Sequence, residues 1–250
     1  MAGRAGRAAL HLLILALTLV EISARFALLR ARLGRRMELR DRAMWLHKSC
    51  RMVLRRMGVA MTSRGPRPTQ GLICSNHLSY LDIAVYAATT PCVFVSKREI
   101  RGWPAFGFFA ECGGTIFLDR QSRTSAEAAS AEIAKTLDSG VAVLLFPEGT
   151  STDGSGVLRF HPTLLEPAIK EQLEIAPAAI AYRVRGGEER DLCYYGDISF
   201  LPHLLRTMGR TGMAAEVEFY PQSAVYAERK AAALDLHEKV EAMRKRMRRE

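Results

Sequence analysis

The chain has 250 residues, enough for one sizeable core, and its 48% apolar and 25% charged content excludes wholesale disorder. Its net charge of +10 sits at one end: residues 1–64 carry 14 Arg and Lys against 3 acids, whereas residues 65–250 carry 22 against 23. The five cysteines are scattered without a C-x-x-C, which disfavours a disulfide framework or a zinc site and makes a reduced compartment the default.

Residues 8–20 (AALHLLILALTLV) form an apolar run of 13, shorter than the roughly 20 residues a spanning helix needs. Extension to Leu29 reaches that length but takes in Glu21 and Arg25, which could pair at i, i+4 on a helix. A signal peptide fits poorly, because Ile22 is not the small residue its cleavage site wants. A tilted span and an in-plane anchor both fit, and the short run leans toward the anchor. Residues 38–57 read as a second, amphipathic helix with Leu39, Ala43, Leu46, Cys50, Val53 and Met57 on one stripe. Arg42, Lys48, Arg51, Arg55 and Arg56 fall largely off it. Such a helix either docks on a core with its basic face in water or faces a membrane. The basic segment is interleaved with aliphatic residues and poor in stacking aromatics, which favours an anionic membrane surface over nucleic acid as partner.

Gly65-Pro66-Arg67-Pro68 breaks the helical pattern and marks a boundary. The expected organisation is a basic, membrane-associating helical segment over 1–64 and an α/β domain over 65–250. Strands are expected at 71–75, 92–96, 115–118, 141–146, 175–182 and 215–220. Helices are expected near 82–89, 103–110, 124–138, 162–172 and 202–208, with a last one from about 226. The helix at 124 opens on the capping pattern Thr124-Ser125-Ala126-Glu127. Strands alternating with helices predict a mixed, largely parallel sheet flanked by helices.

The run Asn76-His77-Leu78-Ser79-Tyr80-Leu81-Asp82 follows an expected strand. On one regular helix, residues five apart are turned by about 140° and do not face each other. If Ser79 caps the next helix and Asp82 is its third residue, Asp82 leans back toward His77 on the preceding loop. One imidazole nitrogen can then donate to Asp82 and leave the other as a base. The alternative is that Asp82 only caps the helix; a metal site lacks partners at ligand spacing. Two further segments are informative. Gly114 to Arg120 (GTIFLDR) is a strand ending on a basic residue that can hold a phosphate or pair with Asp119. Phe146-Pro147-Glu148-Gly149-Thr150 ends another strand on a tight polar turn.

Together these segments resemble the lysophosphatidate acyltransferase family, the PlsC-like glycerolipid acyltransferases, over about residues 70–185. The family pattern N-H-x4-D matches Asn76, His77 and Asp82; its G-x-I-F-I-D-R-like block matches Gly114 to Arg120, and its F-P-E-G-T block matches Phe146 to Thr150. A looser block around a proline matches Ile175 to Ala179, and Lys97-Arg98-Glu99 with Pro104 and Gly107 is also similar. The resemblance implies that His77 is the general base, oriented by Asp82, and that Arg120, Glu148, Gly149 and Thr150 bind or shape the acceptor site. It implies acyl transfer from acyl-CoA or acyl-carrier protein to a lysolipid at the cytoplasmic face of a membrane, with no metal or organic cofactor. The leading acceptor is 1-acylglycerol 3-phosphate, giving phosphatidate; another lysolipid, such as lyso-ornithine lipid, is the alternative. A non-catalytic membrane-surface protein is the rival of another class, against which the intact His77 and Asp82 argue. One departure bears on the acceptor: many members continue the third block as E-G-T-R-S, whereas this chain has Ser151 and Thr152 after Thr150.

Overall fold

The structure, a computed structural model, describes residues 2–119 and 123–249, with residues 2 and 123–126 described by backbone alone. Two helices open the chain, α1 (Ala2–Leu33) and α2 (Leu39–Arg56). There follow β1 (Ala60–Arg64), β2 (Leu72–Ser75), α3 (Leu81–Thr89), β3 (Cys92–Lys97), α4 (Phe106–Gly113) and β4 (Ile116–Leu118). The chain continues through α5 (Arg123–Asp138), β5 (Ala142–Leu145), α6 (Glu166–Lys170), β6 (Ile175–Val184), α7 (Phe200–Met208), β7 (Met213–Phe219) and α8 (Arg229–Met247). The strands form one sheet in the order β1-β7-β6-β2-β5-β3-β4, antiparallel only between β6 and β7. This is the expected α/β architecture with a mixed, largely parallel sheet.

Every residue of β2 and β5 is buried, which is why both read as unbroken apolar runs: helices cover the sheet on both sides. Side chains alternate between two cores. Ile73, Phe94 and Leu144 pack with Ile22, Trp45 and Val85 under α1, α2 and α3. Leu72, Val93 and Val143 pack with Ile133, Ala168 and Val240 under α5, α6 and α8.

Several expected boundaries move. The six expected strands appear, but Ala60–Arg64, assigned from sequence to the N-terminal segment, is a seventh, pairing in parallel with β7. Its polar residues carry no apolar run because it is an edge strand with alternating exposure. The expected helix at 103–110 begins later: residues Arg98–Gly102 form a 3₁₀ turn and α4 starts at Phe106. Gly107 permits this approach, since a Cβ there would collide with the Arg101 carbonyl. The expected helix at 162–172 is a 3₁₀ turn, Pro162–Leu165, running into the short α6. The Thr124–Glu127 capping pattern falls largely on side chains outside those described.

α2 docks its apolar stripe on the core, burying Ala43, Leu46 and Leu54 together with Trp45. Trp45 packs on Phe26 of α1 at 4.7 Å between ring centroids, and its Nε1 donates to the Ile22 carbonyl at 3.1 Å. The Glu21–Arg25 pair forms as its spacing allows, at 2.7 Å.

Candidate active site

β2 and β5 are parallel neighbours with Cys74 opposite Leu145, so their chain-terminal ends emerge side by side. His77 and Glu148 each lie three residues beyond these partners and therefore meet, which is the usual place for a site in an open α/β sheet. The His77 N–H donates to Glu148 Oε1 at 2.7 Å, and Thr152 N donates to the His77 carbonyl at 2.9 Å. The His77 loop is thus pinned from both sides by the turn after β5.

The His77 ring turns toward α3. Its Nδ1 lies 2.7 Å from Asp82 Oδ2, and that oxygen also accepts the Leu78 N–H at 2.7 Å and the Ser79 N–H at 3.0 Å. The other oxygen, Oδ1, accepts the Tyr182 hydroxyl at 2.6 Å. Asp82 is fully buried, and donors from side chains and loop backbone converge on it, an arrangement that suits a carboxylate. With Nδ1–H donated to Asp82, Nε2 is left as the basic nitrogen. The ring stacks on Phe146, with centroids 4.1 Å apart and planes 14° from parallel. The cap expected at Ser79 is half present. The helix starts at Leu81, and the Ser79 hydroxyl, though buried, has no hydrogen-bond partner among the described residues. Only the return bond, from the Ser79 N–H to Asp82, forms.

Both oxygens of the buried Glu148 are taken by backbone donors, Oε1 by His77 and Oε2 by Leu158 N–H at 2.7 Å. Gly149 has φ of 73°, a left-handed turn that glycine adopts without strain, and its N–H returns to the Phe146 carbonyl at 3.0 Å. Thr150 is exposed and, with Gly149 and Ser151, lines the cavity described below. Arg120 lies outside the described residues, just beyond Asp119 at the end of β4. Sequence reasoning missed Tyr182 and the stacking role of Phe146. Neither carries a local signal: Tyr182 is 100 residues from the aspartate it touches.

Burial pushes the Glu148 carboxyl up to about 7 from an ordinary 4.5; the two backbone donors pull it down, and the Asp82 charge adds to the rise. A carboxyl raised in the folded state contributes stability that is fully present below 4.5 and lost as pH rises through about 7. The term is on the order of 3 kcal/mol. Glu148→Gln is expected to lower stability at pH 5, because its amide turns a donor on a backbone N–H, and to flatten the fall between these two pH values. Urea unfolding of both proteins at pH 5 and pH 8 measures it; equal slopes would overturn the assignment.

His77 opens onto a cavity of about 700 Å³ bounded by α1, α2, α3 and α4. Its walls include Leu19, Ile22, Cys50, Phe94, Phe109 and Met208, and they are mostly apolar. The lining also includes His77 itself with Tyr80, Gly149, Thr150 and Tyr194. A basic nitrogen therefore lies on the wall of an apolar hollow whose volume of about 700 Å³ suits a hydrocarbon chain.

A family model described as Acyltransferase matches residues 56–181. The chain is 37% identical over 187 residues to a lyso-ornithine lipid O-acyltransferase of Brucella abortus, covering 69% of this chain and 70% of that protein. It is 34% identical to a lyso-ornithine lipid O-acyltransferase of Pseudomonas aeruginosa, covering 66% of this chain and 62% of that one. To a 1-acyl-sn-glycerol-3-phosphate acyltransferase of Neisseria gonorrhoeae it is 31% identical, covering 61% and 60%. The match thus spans under two thirds of the Pseudomonas and Neisseria proteins. Among solved structures, the 1-acyl-sn-glycerophosphate acyltransferase PlsC of Thermotoga maritima shares the fold with a TM-score of 0.69 at 19% identity, over 97% of this chain and 98% of that one. The matched half of the chain contains the His77–Asp82 pair and the Glu148 turn, and the chain belongs to the acyltransferase family.

Proposed function

We propose that the protein transfers a fatty acyl group from a thioester to the free hydroxyl of a lysolipid, with His77 as general base. The observation that carries this reading is the 2.7 Å Nδ1–Asp82 bond, which leaves Nε2 as the base on the wall of the apolar cavity. Nε2 takes the acceptor hydroxyl proton as the oxygen attacks the thioester carbonyl. The carbon–sulfur bond then breaks, and the thiolate recovers the proton from the imidazolium. Asp82 stabilises that imidazolium, and no covalent acyl-enzyme is required.

Lyso-ornithine lipid is the acceptor we favour. The relatives at 34% and 37% identity carry that name, and Ser151 stands where many family members have an arginine. The Ser151 hydroxyl donates to the Tyr194 carbonyl, so it braces that part of the cavity lining. 1-Acylglycerol 3-phosphate, named in the Neisseria relative, is the second reading. The test is an assay of the purified full chain with oleoyl-CoA and with oleoyl-acyl-carrier protein against both acceptors. We expect kcat/KM at least about tenfold higher for the lyso-ornithine lipid. A reversed ratio reassigns the acceptor; no transfer from either donor leaves the non-catalytic membrane-surface reading.

Arg120 closes the Gly114–Arg120 block that resembles the family pattern, and on that resemblance we assign it the anionic group of the acceptor, phosphate or carboxylate. A planar guanidinium grips either in a bidentate way, whereas an ammonium offers a point charge. Arg120→Lys is expected to raise the acceptor KM about tenfold and leave the donor KM unchanged. A selective rise in donor KM would move Arg120 to the thioester carrier.

The segment 1–64 is proposed to hold the enzyme on the cytoplasmic face of a membrane. α1 is the one described helix long and apolar enough to cross a bilayer. Its packing favours a helix in the plane of the surface: Leu19 and Ile22 face the cavity, and His11 Nδ1 bonds the Met208 carbonyl of α7 at 2.6 Å. Beside it, Arg25, Lys48, Arg51, Arg55 and Arg67 line a second hollow of about 1050 Å³, suited to anionic headgroups.

A further inference from the structure

Tyr182 stands on β6, just past the end of the family match at residue 181 and outside the motif blocks that carry the resemblance. Its hydroxyl donates to Asp82 Oδ1 at 2.6 Å, while the His77 ring and two loop N–H groups occupy Oδ2. It is the one side chain that holds the far oxygen of the carboxylate among the described residues. The phenol is buried, and burial together with the Asp82 charge raises its ionisation well above the ordinary value, so it stays a donor.

The strand is fixed so that this hydroxyl cannot drift. Two residues earlier on the same face, Ile180 exchanges two bonds with the Asn76 side chain, N–H to Oδ1 at 2.9 Å and Nδ2 to the carbonyl at 3.2 Å. The Tyr182 N–H donates to Glu189 Oε1 at 2.8 Å. Glu189 is in turn clamped by Arg244 of α8, whose nitrogens reach its two oxygens at 3.0 and 2.7 Å and the Ile180 carbonyl at 2.9 Å. Arg244 is only 3% exposed. Elements from both ends of the domain thus converge on the backbone that aims one phenol at one carboxylate oxygen. A carboxylate held through only one oxygen can rotate about its Cβ–Cγ bond, and the imidazole bonded to it turns with it.

We infer that Tyr182 is a positioning residue for the proposed acyl transfer, locking the Asp82 carboxylate in the orientation that aligns His77; this rests on the reading of His77 as general base. The full-length Tyr182→Phe enzyme is compared with wild type, His77→Ala and Tyr86→Phe, using oleoyl-CoA or oleoyl-acyl-carrier protein and the acceptor that wild type turns over faster. Tyr86 is the control. Its hydroxyl is equally buried but bonds Ser75 Oγ at 2.5 Å, whereas the hydroxyl bonded to Asp82 is that of Tyr182.

Tyr182→Phe is expected to lower kcat about 10- to 100-fold with both KM values unchanged within about twofold. The acid limb of its kcat–pH profile is expected to move to higher pH, because a carboxylate that loses one donor pairs more strongly with the imidazolium of the base it orients. Tyr86→Phe is expected to lower the melting temperature and leave that limb in place. Unchanged kcat and limb in Tyr182→Phe overturn the inference, as does an equal shift in Tyr86→Phe. If Tyr182→Phe does not fold, fluorotyrosine at 182 keeps the ring and strengthens the donor. The limb should then move to lower pH, and no movement overturns the inference. Wild-type rates in His77→Ala would instead sink the general-base reading on which the inference rests.

Discussion

His77→Ala is expected to abolish turnover while leaving the fold intact. General-base catalysis is worth typically about 10²–10⁴-fold, and a base that works with an orienting carboxylate supplies the upper part of that range or more. The fold should survive because the loop is held by backbone groups. The His77 N–H goes to Glu148 and its carbonyl accepts from Thr152, and alanine keeps both bonds. The side chain itself is 21% exposed and makes one hydrogen bond. Asp82→Asn is expected to be impaired by a comparable factor, but for a mixed reason. An amide keeps the three bonds at Oδ2 only with its oxygen there; its NH2 then faces the Tyr182 hydroxyl, which must turn from donor to acceptor, and the neutral group no longer stabilises an imidazolium. That variant should lose stability as well as rate, on the order of 3 kcal/mol, and His77→Ala is the cleaner test. Initial rates with both substrates saturating, beside circular dichroism, measure it. Wild-type rates from natively folded His77→Ala would falsify the mechanism.

Local sequence carried the central strands because their physics is local. β2 and β5 are buried on both faces, so LICS and AVLL had to be unbroken apolar runs. β1 stayed hidden because AMTSR lies at a sheet edge, where pairing with β7 and not apolar content defines the strand. The His77–Asp82 spacing left two geometries open. What separates them is the pair of N–H groups of Leu78 and Ser79, which turn the loop so that one carboxylate oxygen serves them and the imidazole together. The approach of Glu148 to His77 depends on β2 and β5 being sheet neighbours, a property of topology that no local window contains. Tyr182 and Arg244 lie further still along the chain and reach the site only through β6 and α8. Arg56 is a related case. Its sequence places it on the basic face of α2, yet it bonds Glu21 at 2.7 Å and the Thr18 hydroxyl at 3.1 Å and so ties α2 to α1.

Glutamate at both Leu13 and Leu17 is expected to lower partitioning onto anionic vesicles by roughly a thousandfold. α1 has two apolar stripes. One, with Leu15, Leu19 and Ile22, faces the cavity, and Ile22 and Phe26 are buried against Trp45. The other, Leu10, Leu13, Leu17 and Val20, is between 55% and 69% exposed and left uncovered by the described residues. A helix that crossed the bilayer would have to release the first stripe along with the Trp45 and His11 bonds. A helix in the plane keeps them and buries the second stripe in lipid. Burying a leucine is worth roughly 1.5–3 kcal/mol, and a charged replacement adds a desolvation cost. Two changes therefore sum to about 4 kcal/mol, close to three decades of affinity. The basic face contributes differently. Arg51→Glu with Arg55→Glu should weaken binding at low salt and have little effect at high salt, since exposed charges are screened there. Arg56 is left intact in that variant, because reversing it would break its bond to Glu21 and confuse lost binding with lost packing. Vesicle sedimentation at two salt concentrations, with phosphatidylglycerol and with phosphatidylcholine alone, separates the two contributions. Wild-type partitioning of the Leu13→Glu, Leu17→Glu protein would show that the outward stripe is not the face that meets the membrane.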